Sequence, residues 1–268
     1  MSYFQLTVLA FIQGLTEFLP ISSSAHLLLP SILLDWPDQG LNFDVAVHLG
    51  SLFAVLVYFR RDVYELLKAW LRHLIQRESS EESKLAWLII LATLPGALAG
   101  FLANDLVENY ARSAYVLATT SAIFALLLWY ADRYAPAGKT LVDLNWKHAL
   151  LLGTAQALAL IPGTSRSGIT MTAALFCQLS RQTAAKISFL MAIPIIFGSF
   201  LLRSNEVFER GLWLDQLGPI LYGIIISGIV AFACIHFFMR LIERVGFLPF
   251  VLYRFGLALF IVAITIVA

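Results

Sequence analysis

Charged side chains are scarce in this sequence, and their scarcity excludes a water-soluble globular fold. Asp, Glu, Lys and Arg together make up 13% of the residues, whereas 60% are hydrophobic. Several windows without any charge approach the roughly 20 residues that a helix needs to cross a bilayer. The composition therefore predicts an all-α integral membrane protein, with residues 1–268 forming one polytopic membrane domain.

The sequence also has few cysteines and almost no net charge. Cys177 and Cys234 lie in apolar segments at no spacing typical of metal sites, which indicates buried small hydrophobic residues. A net charge of +1 gives no indication of nucleic-acid binding. The N-terminus lacks the basic region of a cleaved signal peptide, and Gln13 and Glu17 interrupt its apolar run, so we expect it to be retained.

Six apolar segments have the length and composition of transmembrane helices. They are residues 43–59, 85–103, 112–131, 183–202, 217–238 and 248–267. Two further apolar segments, 3–34 and 148–180, are each interrupted centrally by proline, glycine and hydroxyl residues. Because unpaired backbone inside a bilayer must face protein or water rather than lipid, each interrupted segment is typical of a re-entrant helical hairpin.

The two hairpins head two similar halves of the chain. Residues 1–131 contain the hairpin 3–34 and three spans, and residues 148–268 contain the hairpin 148–180 and three spans. Three is an odd number, so the second half must enter the membrane from the opposite face. The layout predicts an inverted-topology repeat whose hairpin tips meet near the bilayer midplane.

An alignment on Pro20 and Pro162 places Ser23 opposite Ser165 in the two halves. Most Lys and Arg residues fall in loops on one side of the layout, which is the pattern of a cytoplasmic face. The basic residues on the opposite side are Arg112, Arg203 and Arg210. The stretch 60–84 lies on the cytoplasmic side and is predicted to form a solvated helix pair and turn.

The first hairpin carries polar residues that are costly at bilayer depth and therefore indicate a functional site. Gln13 and Glu17 are four residues apart and share a face of a helix. Glu17 can bind a cation, act as an acid or base, or orient a neighbour. Ser22 and Ser23 can cap the helix that follows, and His26 lies close to both, as a base–hydroxyl pair requires.

The second hairpin carries a cationic counterpart. Thr164 or Ser165 can cap the following helix, whose first N–H groups and positive dipole end favour an anion. Arg166 adds a planar charged fork suited to phosphate oxygens. Purely structural roles are the alternative, because membrane hydroxyls often bond to their own backbone and Arg166 can simply pair with Glu17. Together the two tips suit phosphoryl transfer on a membrane-embedded phosphate ester.

Two motifs make the sequence resemble a known family. Gln13-x-x-x-Glu17 is followed by residues 18–26, FLPISSSAH, and residues 162–170 read PGTSRSGIT. They closely resemble the bacitracin-resistance type of undecaprenyl-diphosphate phosphatase, whose signatures are (E/Q)-x-x-x-E and P-G-x-S-R-S-x-x-T. Both signatures are satisfied, and the resemblance covers essentially the whole chain.

The resemblance implies a bacterial inner-membrane enzyme with six spans, two inverted re-entrant hairpins and an active site that opens to the periplasmic side. Such enzymes remove the terminal phosphate from undecaprenyl diphosphate. The reaction recycles the lipid carrier for peptidoglycan synthesis and cell-wall biogenesis and confers bacitracin resistance. The implied partners are the lipid diphosphate and the bilayer, without nucleic acid, and a homo-oligomer is left open.

Matched position by position, the catalytic residues implied by the resemblance are Glu17, Ser23, His26 and Arg166. With Arg166, the implied phosphate-binding residues are Thr164, Ser165, Ser167 and Thr170. Supporting residues are Gln13 and Ser22. The family is reported to use a divalent cation, usually magnesium, for which Glu17 is the implied ligand. Gln13 takes the place that is Glu in many members, which removes one carboxylate from any such metal site.

The implied mechanism has Ser23 attack the terminal phosphorus, or position a water that does, with His26 as base and then acid. The main alternative is a transporter or flippase of polyprenyl phosphate lipids, because inverted repeats with broken helices favour transport. An intramembrane serine protease would not need Arg166. The other class of lipid phosphatase requires a Ser-Gly-His motif, which this sequence lacks.

Overall fold

The computed structural model is a bundle of α-helices. It describes residues 1–34, 36–37, 39–110, 113–135, 138–209 and 217–267, with side chains described for the same residues except 32, 41–42, 103–110, 203–209 and 267. Over these ranges it contains no β-strand, only one isolated bridge between Lys139 and Leu179. The prediction of an all-α protein is therefore confirmed. The side chains of Arg112, Arg203 and Arg210 lie outside the described part.

The helices are numbered in chain order. Their bounds are α1 Tyr3–Thr16, α2 Ser23–Leu34, α3 Gly40–Tyr58, α4 Arg60–Gln76, α5 Glu81–Tyr110, α6 Ala114–Tyr134, α7 Trp146–Leu158, α8 Arg166–Phe176, α9 Arg181–Glu209, α10 Leu217–Val245 and α11 Leu248–Val267. A short 3-10 turn, Leu141–Asp143, lies between α6 and α7.

Every predicted span coincides with one of these helices. Among the described residues, five helices are long and apolar enough to cross a membrane, with α5 counted over Glu81–Leu102 and α9 over Arg181–Leu202. A sixth follows if α3 and α4 are taken as one broken span, since the chain bends by 82° between them. The molecule is thus a multi-pass membrane protein.

The central breaks predicted in the segments 3–34 and 148–180 are confirmed. Helices α1 and α2 are separated at residues 17–22, and helices α7 and α8 are separated at residues 159–165. In each break the residue just before the second helix has a positive φ, 73° at Ser22 and 69° at Ser165. In both segments the backbone therefore turns sharply, at a residue with positive φ, immediately before the helix restarts.

The positive-φ residues also set the correspondence between the two breaks. They place Ser22 opposite Ser165, so that Ser23 corresponds to Arg166, one residue away from the alignment on the two prolines. The same shift brings Gln13 opposite Gln156, and both side chains are buried. The point at which the helix restarts, rather than the position of the proline, fixes the equivalent residues.

The helices pack in pairs that join the two halves of the chain. Helix α1 packs on α10 and α7 packs on α5, while α3 packs on α9 and α10 and α6 packs on α11. Helix α8 lies against α6, α7 and α9. The main apolar core contains large buried side chains from these helices and from the segments between them, including Phe18, Leu128, Leu152, Phe189 and Phe247.

Two ion pairs connect helix ends outside this core. Arg181, at the start of α9, binds both carboxylate oxygens of Asp132 in α6, and that carboxylate also accepts the Phe247 N–H at 3.2 Å. Lys186 Nζ lies 2.6 Å from Asp62 Oδ1 in α4. The N-terminal end of α9 is therefore linked to three neighbouring segments of the chain.

The contact between α3 and α10 is close enough to require glycine. A Cβ placed on Gly50 would overlap the Ser227 hydroxyl and the Ile224 carbonyl oxygen of α10. Small residues allow helix backbones to approach in a bilayer, where van der Waals packing drives their association. By contrast, a Cβ on Gly256 of α11 would meet no atom within 4 Å.

We predict that Gly50→Ala destabilises the folded protein by about 1–3 kcal/mol, the usual cost of overpacking. Because Gly256 faces open space, Gly256→Ala serves as the matched control and should leave the stability unchanged or slightly raised. The measurement is the midpoint of thermal unfolding in detergent. Equal midpoints for the two variants would show that α3 and α10 are not packed as closely as described.

Candidate active site

Glu17 is the centre of a hydrogen-bonded cluster at the tip of the first hairpin. It directly follows α1, and its backbone keeps helical angles, which places its side chain above that of Gln13. Gln13 Nε2 donates to Glu17 Oε2 at 2.9 Å, and the Ser23 hydroxyl donates to the same oxygen at 2.9 Å. Only 7% of the Glu17 side chain is exposed. The carboxylate is thus held by donors from both helices of its own hairpin.

Arg166 reaches this carboxylate from the second hairpin. Its Nη2 donates to Glu17 Oε1 at 2.7 Å, and the guanidinium is 15% exposed. Arg166 is the first residue of α8, and Ser165 caps that helix by accepting the Gly168 N–H at 3.2 Å. Its Nη1 also lies 3.5 Å from the Ser188 carbonyl oxygen of α9. The charge is therefore positioned by a capped helix start.

A second contact joins the same two tips. The Ser167 hydroxyl donates to the Leu19 carbonyl oxygen at 2.8 Å. Together with the ion pair between Glu17 and Arg166, it brings the two breaks of the chain into direct contact. The predicted polar residues of the two hairpins, about 150 positions apart in the sequence, form one cluster.

The expected pair between Ser23 and His26 does not form in this structure. The Ser23 hydroxyl is bonded to Glu17 instead. His26 Nδ1 lies 2.7 Å from the Ser22 carbonyl oxygen, which can only accept, so Nδ1 carries the proton. The other nitrogen, Nε2, therefore accepts the Tyr253 hydroxyl at 2.6 Å, and the two rings are stacked. Because His26 follows Ser22 by one helical turn, its ring is drawn towards that carbonyl and away from Ser23.

Arg254 binds the backbone of the loop that precedes α8. It is fully buried, and its Nη2 donates to the carbonyl oxygens of Gly163 and Thr164 at 2.8 and 2.9 Å. Its Nε and Nη1 have no hydrogen-bond partner among the described residues. A Cβ on Gly168 would come within 3.0 Å of Nη1, so the guanidinium lies directly against the start of α8.

Tyr253 and Arg254 were not among the predicted site residues. The available signal was an arginine next to a tyrosine inside an otherwise apolar span, since an arginine at bilayer depth is a functional indication by itself. Nothing in the sequence indicates which residues these two side chains contact. Those residues lie 90 or more positions away, in both hairpins.

Several predicted hydroxyl groups have protein partners. Thr170 Oγ1 donates to the Arg166 carbonyl oxygen at 2.8 Å and lies 2.6 Å from Ser188 Oγ. The Ser22 hydroxyl lies 3.2 Å from that of Ser24. Thr164 Oγ1 is buried without a partner among the described residues. In this state, Thr170 and Ser22 stabilise the two tips, and the phosphate-binding role of the hydroxyls stays a prediction.

A family model described as bacitracin resistance protein BacA matches residues 6–260. The chain belongs to this family. The match confirms the resemblance drawn from the two motifs, and it includes both hairpins together with Tyr253 and Arg254. BacA-family membership implies an undecaprenyl-pyrophosphate phosphatase, a membrane hydrolase associated with bacitracin resistance.

The BacA-family site has few groups that could hold a metal ion. No cluster of three or more His, Cys, Asp and Glu residues occurs in the part of the chain that the structure describes. Glu17 offers one carboxylate, and the adjacent Gln13 Oε1 is buried without a described partner. Magnesium commonly binds through one or two protein oxygens and takes its other ligands from water and substrate phosphates. Gln13 and Glu17 therefore fit such an ion.

We predict strong coupling between Glu17 and Arg166. Because the pair is mostly buried, a double-mutant cycle with Glu17→Gln and Arg166→Gln should give an interaction free energy of about 1–3 kcal/mol in thermal unfolding. The matched control is the pair Asp62 and Lys186, with side chains 37% and 31% exposed, for which Asp62→Asn and Lys186→Gln should couple by less than about 1 kcal/mol. Similar coupling in both cycles would contradict a buried link between the tips.

Proposed function

We propose that this chain hydrolyses undecaprenyl diphosphate to undecaprenyl phosphate and inorganic phosphate, recycling the lipid carrier for peptidoglycan synthesis and conferring bacitracin resistance. One observation carries the proposal. The Glu17 carboxylate is shared by the Ser23 hydroxyl of one hairpin and the Arg166 guanidinium of the other. A nucleophile, its base and a phosphate-binding cation thus form one hydrogen-bonded unit.

The proposed architecture is six spans, α3, α5, α6, α9, α10 and α11, with two re-entrant hairpins, α1–α2 and α7–α8, in an inverted repeat of residues 1–131 and 148–268. The hairpin helices have 11 to 14 residues, too few to cross a bilayer alone. The helix contacts support the repeat, because α1 packs on α10 as α7 packs on α5. We propose that the protein lies in the bacterial inner membrane, as its family membership implies, with its site open to the periplasmic side, as the distribution of Lys and Arg favours.

Substrate binding begins at Arg166. Its guanidinium and the first N–H groups of α8 donate hydrogen bonds to the oxygens of the diphosphate, since a helix start and an arginine fork both favour phosphate. Those oxygens compete with Glu17 for Nη2, which lies 2.7 Å from Oε1 of the carboxylate. Binding of the diphosphate therefore releases Glu17 to act as a base.

The freed carboxylate then activates Ser23. As the Ser23 oxygen forms a bond to the terminal phosphorus, its proton passes to Glu17, already its hydrogen-bond acceptor. The bond from that phosphorus to the bridging oxygen breaks, and undecaprenyl phosphate leaves. Water then attacks the phosphoserine and gives a proton to His26 Nε2, which passes it to the departing phosphate, while the proton on Glu17 returns to Ser23. The second half releases inorganic phosphate and restores the serine.

A bound magnesium ion would reduce the negative charge of the diphosphate. Gln13 and Glu17 would hold it, because they offer an amide oxygen without a partner among the described residues and the carboxylate of the cluster. The reaction assigned to Ser23 and the binding assigned to Arg166 are the contributions of the chain itself.

The decisive experiment is phosphate release from undecaprenyl diphosphate by the purified protein in detergent, with and without magnesium. We expect Ser23→Ala and Arg166→Ala to lose activity by about 10³-fold or more, as for removal of a nucleophile or its main electrostatic partner. The matched control is Ser24→Ala, one residue away on the exposed side of α2, which should keep the parent rate.

A phosphoenzyme that forms in the parent and is missing in Ser23→Ala would support the covalent path. Catalysis that persists in Ser23→Ala would contradict the assignment of the nucleophile. If the folded parent releases no phosphate with any cation but moves intact lipid between leaflets, the protein is instead a transporter of polyprenyl phosphate lipids.

We predict that Tyr253→Phe lowers kcat about tenfold, because loss of one hydrogen bond of roughly 1–1.5 kcal/mol leaves the His26 ring less well held. The control is Tyr222→Phe, which removes a comparable hydroxyl contact, to Thr7 at 2.8 Å, away from the site. In a His26→Ala background, Tyr253→Phe should have no further effect. A full tenfold loss there would show that Tyr253 acts without His26.

A further inference from the structure

Helix α4 has an apolar face that no described part of the chain covers. Its side chains are 47–77% exposed and belong to Tyr64, Leu67, Leu71, Leu74 and Ile75. The neighbouring face of the same helix is packed, with Leu66 buried and Trp70 in edge contact with Trp87 of α5 at 5.8 Å between ring centroids. The apolar stripe of α4 is therefore wider than its contact with the protein.

The orientation of α4 differs from that of the helix before it. The chain turns by 82° between α3 and α4, at Phe59. If α3 crosses the bilayer, α4 must run almost parallel to the membrane surface at the end of that span. A helix in this position that projected into water would expose five large apolar side chains in one patch, which soluble surfaces rarely do.

Basic side chains border the apolar face. Lys68 and Arg72, together with Tyr64, Leu71 and Ile75, line a shallow groove of about 410 Å³. The Lys68 ammonium lies 5.5 Å from the centroid of the Tyr64 ring, so its alkyl chain follows the apolar surface. Such side chains keep their stems in apolar surroundings and their charges at the water boundary.

The acidic residues of α4 do not cancel this charge. Asp62 is paired with Lys186 of α9 at 2.6 Å, which leaves Glu65 as the other carboxylate of the helix. The basic residues of α4 are Arg60, Arg61, Lys68 and Arg72. An apolar face bordered by an excess of positive charge is typical of a helix that lies in the lipid–water interface and attracts anionic lipids.

We propose that α4 is an interfacial helix, whose apolar face lies among acyl chains and whose Lys68 and Arg72 bind the phosphate groups of anionic phospholipids. The charge pattern of residues 60–84 predicts a solvated segment. On this proposal, α4 lies partly among lipid chains instead. Anionic phospholipid is a better occupant than a second copy of the chain, because a lysine and an arginine at the edge of the groove need phosphate partners or water. The surface is independent of the proposed reaction.

The depth of α4 can be measured with a fluorescent label on the full chain in lipid nanodiscs. A Cys177→Ala/Cys234→Ala background that unfolds at the parent temperature receives Ile75→Cys or, as the control on the polar side, Glu65→Cys. We expect an NBD label at position 75 to be quenched by nitroxides in the acyl chains and protected from iodide, and the label at position 65 to show the reverse. Quenching at position 75 by iodide alone, or by neither quencher, would overturn the proposal.

The lipid preference is tested with the label at position 75 and nitroxides on the headgroup of phosphatidylglycerol or phosphatidylcholine. In the parent, nitroxides on phosphatidylglycerol should quench the label more than nitroxides on phosphatidylcholine. Lys68→Gln/Arg72→Gln should reduce this preference by about fivefold for each charge removed. Arg77→Gln/Lys84→Gln removes the same net charge away from the groove and should keep it. Equal losses in both double variants, or no preference in the parent, would contradict binding at the groove.

Discussion

The arrangement of the two hairpins depends on the ion pair between Glu17 and Arg166. A buried carboxylate is costly unless donors surround it, and its own hairpin supplies the amide of Gln13 and the hydroxyl of Ser23. The remaining oxygen is satisfied by Arg166, which enters from the other hairpin. Neither buried charge is stable alone, so each hairpin completes the other, and the two breaks meet at this ion pair and at the hydrogen bond from Ser167 to Leu19.

Charge balance in this cluster favours an anionic ligand. The positive groups are Arg166, which pairs with the Glu17 carboxylate, and the fully buried Arg254, which binds two carbonyl oxygens of the loop before α8. Arg166 is paired with Glu17, whereas Arg254 lies against the start of α8 without a carboxylate partner among the described residues, which leaves an excess of positive charge there. A phosphate group relieves this excess, whereas a peptide bond does not. The electrostatics therefore agree with a lipid phosphatase better than with an intramembrane protease.

The sequence was sufficient for features that depend on local pattern. Hydropathy located the long apolar helices, the interrupted apolar segments located both breaks, and the rarity of charge within those segments singled out Glu17 and Arg166. Contacts that depend on side-chain rotation and distant partners were not predictable. Ser23 bonds to Glu17 rather than His26, and the ring of His26 is held by Tyr253, 227 positions away. Likewise, the apolar periodicity of α4 does not reveal the 82° bend that leaves its face uncovered.

On the proposed mechanism, the same ion pair couples binding to catalysis. While Arg166 holds Glu17, the carboxylate is a poor base, because its negative charge is already stabilised. The diphosphate carries enough negative charge to displace Glu17 from the Arg166 guanidinium. Glu17 is therefore free beside Ser23 only when a suitable phosphate is bound. The products carry less charge per molecule than the diphosphate, so the ion pair can reform as they leave. The contact that holds the two tips together in the resting protein thus also favours product release.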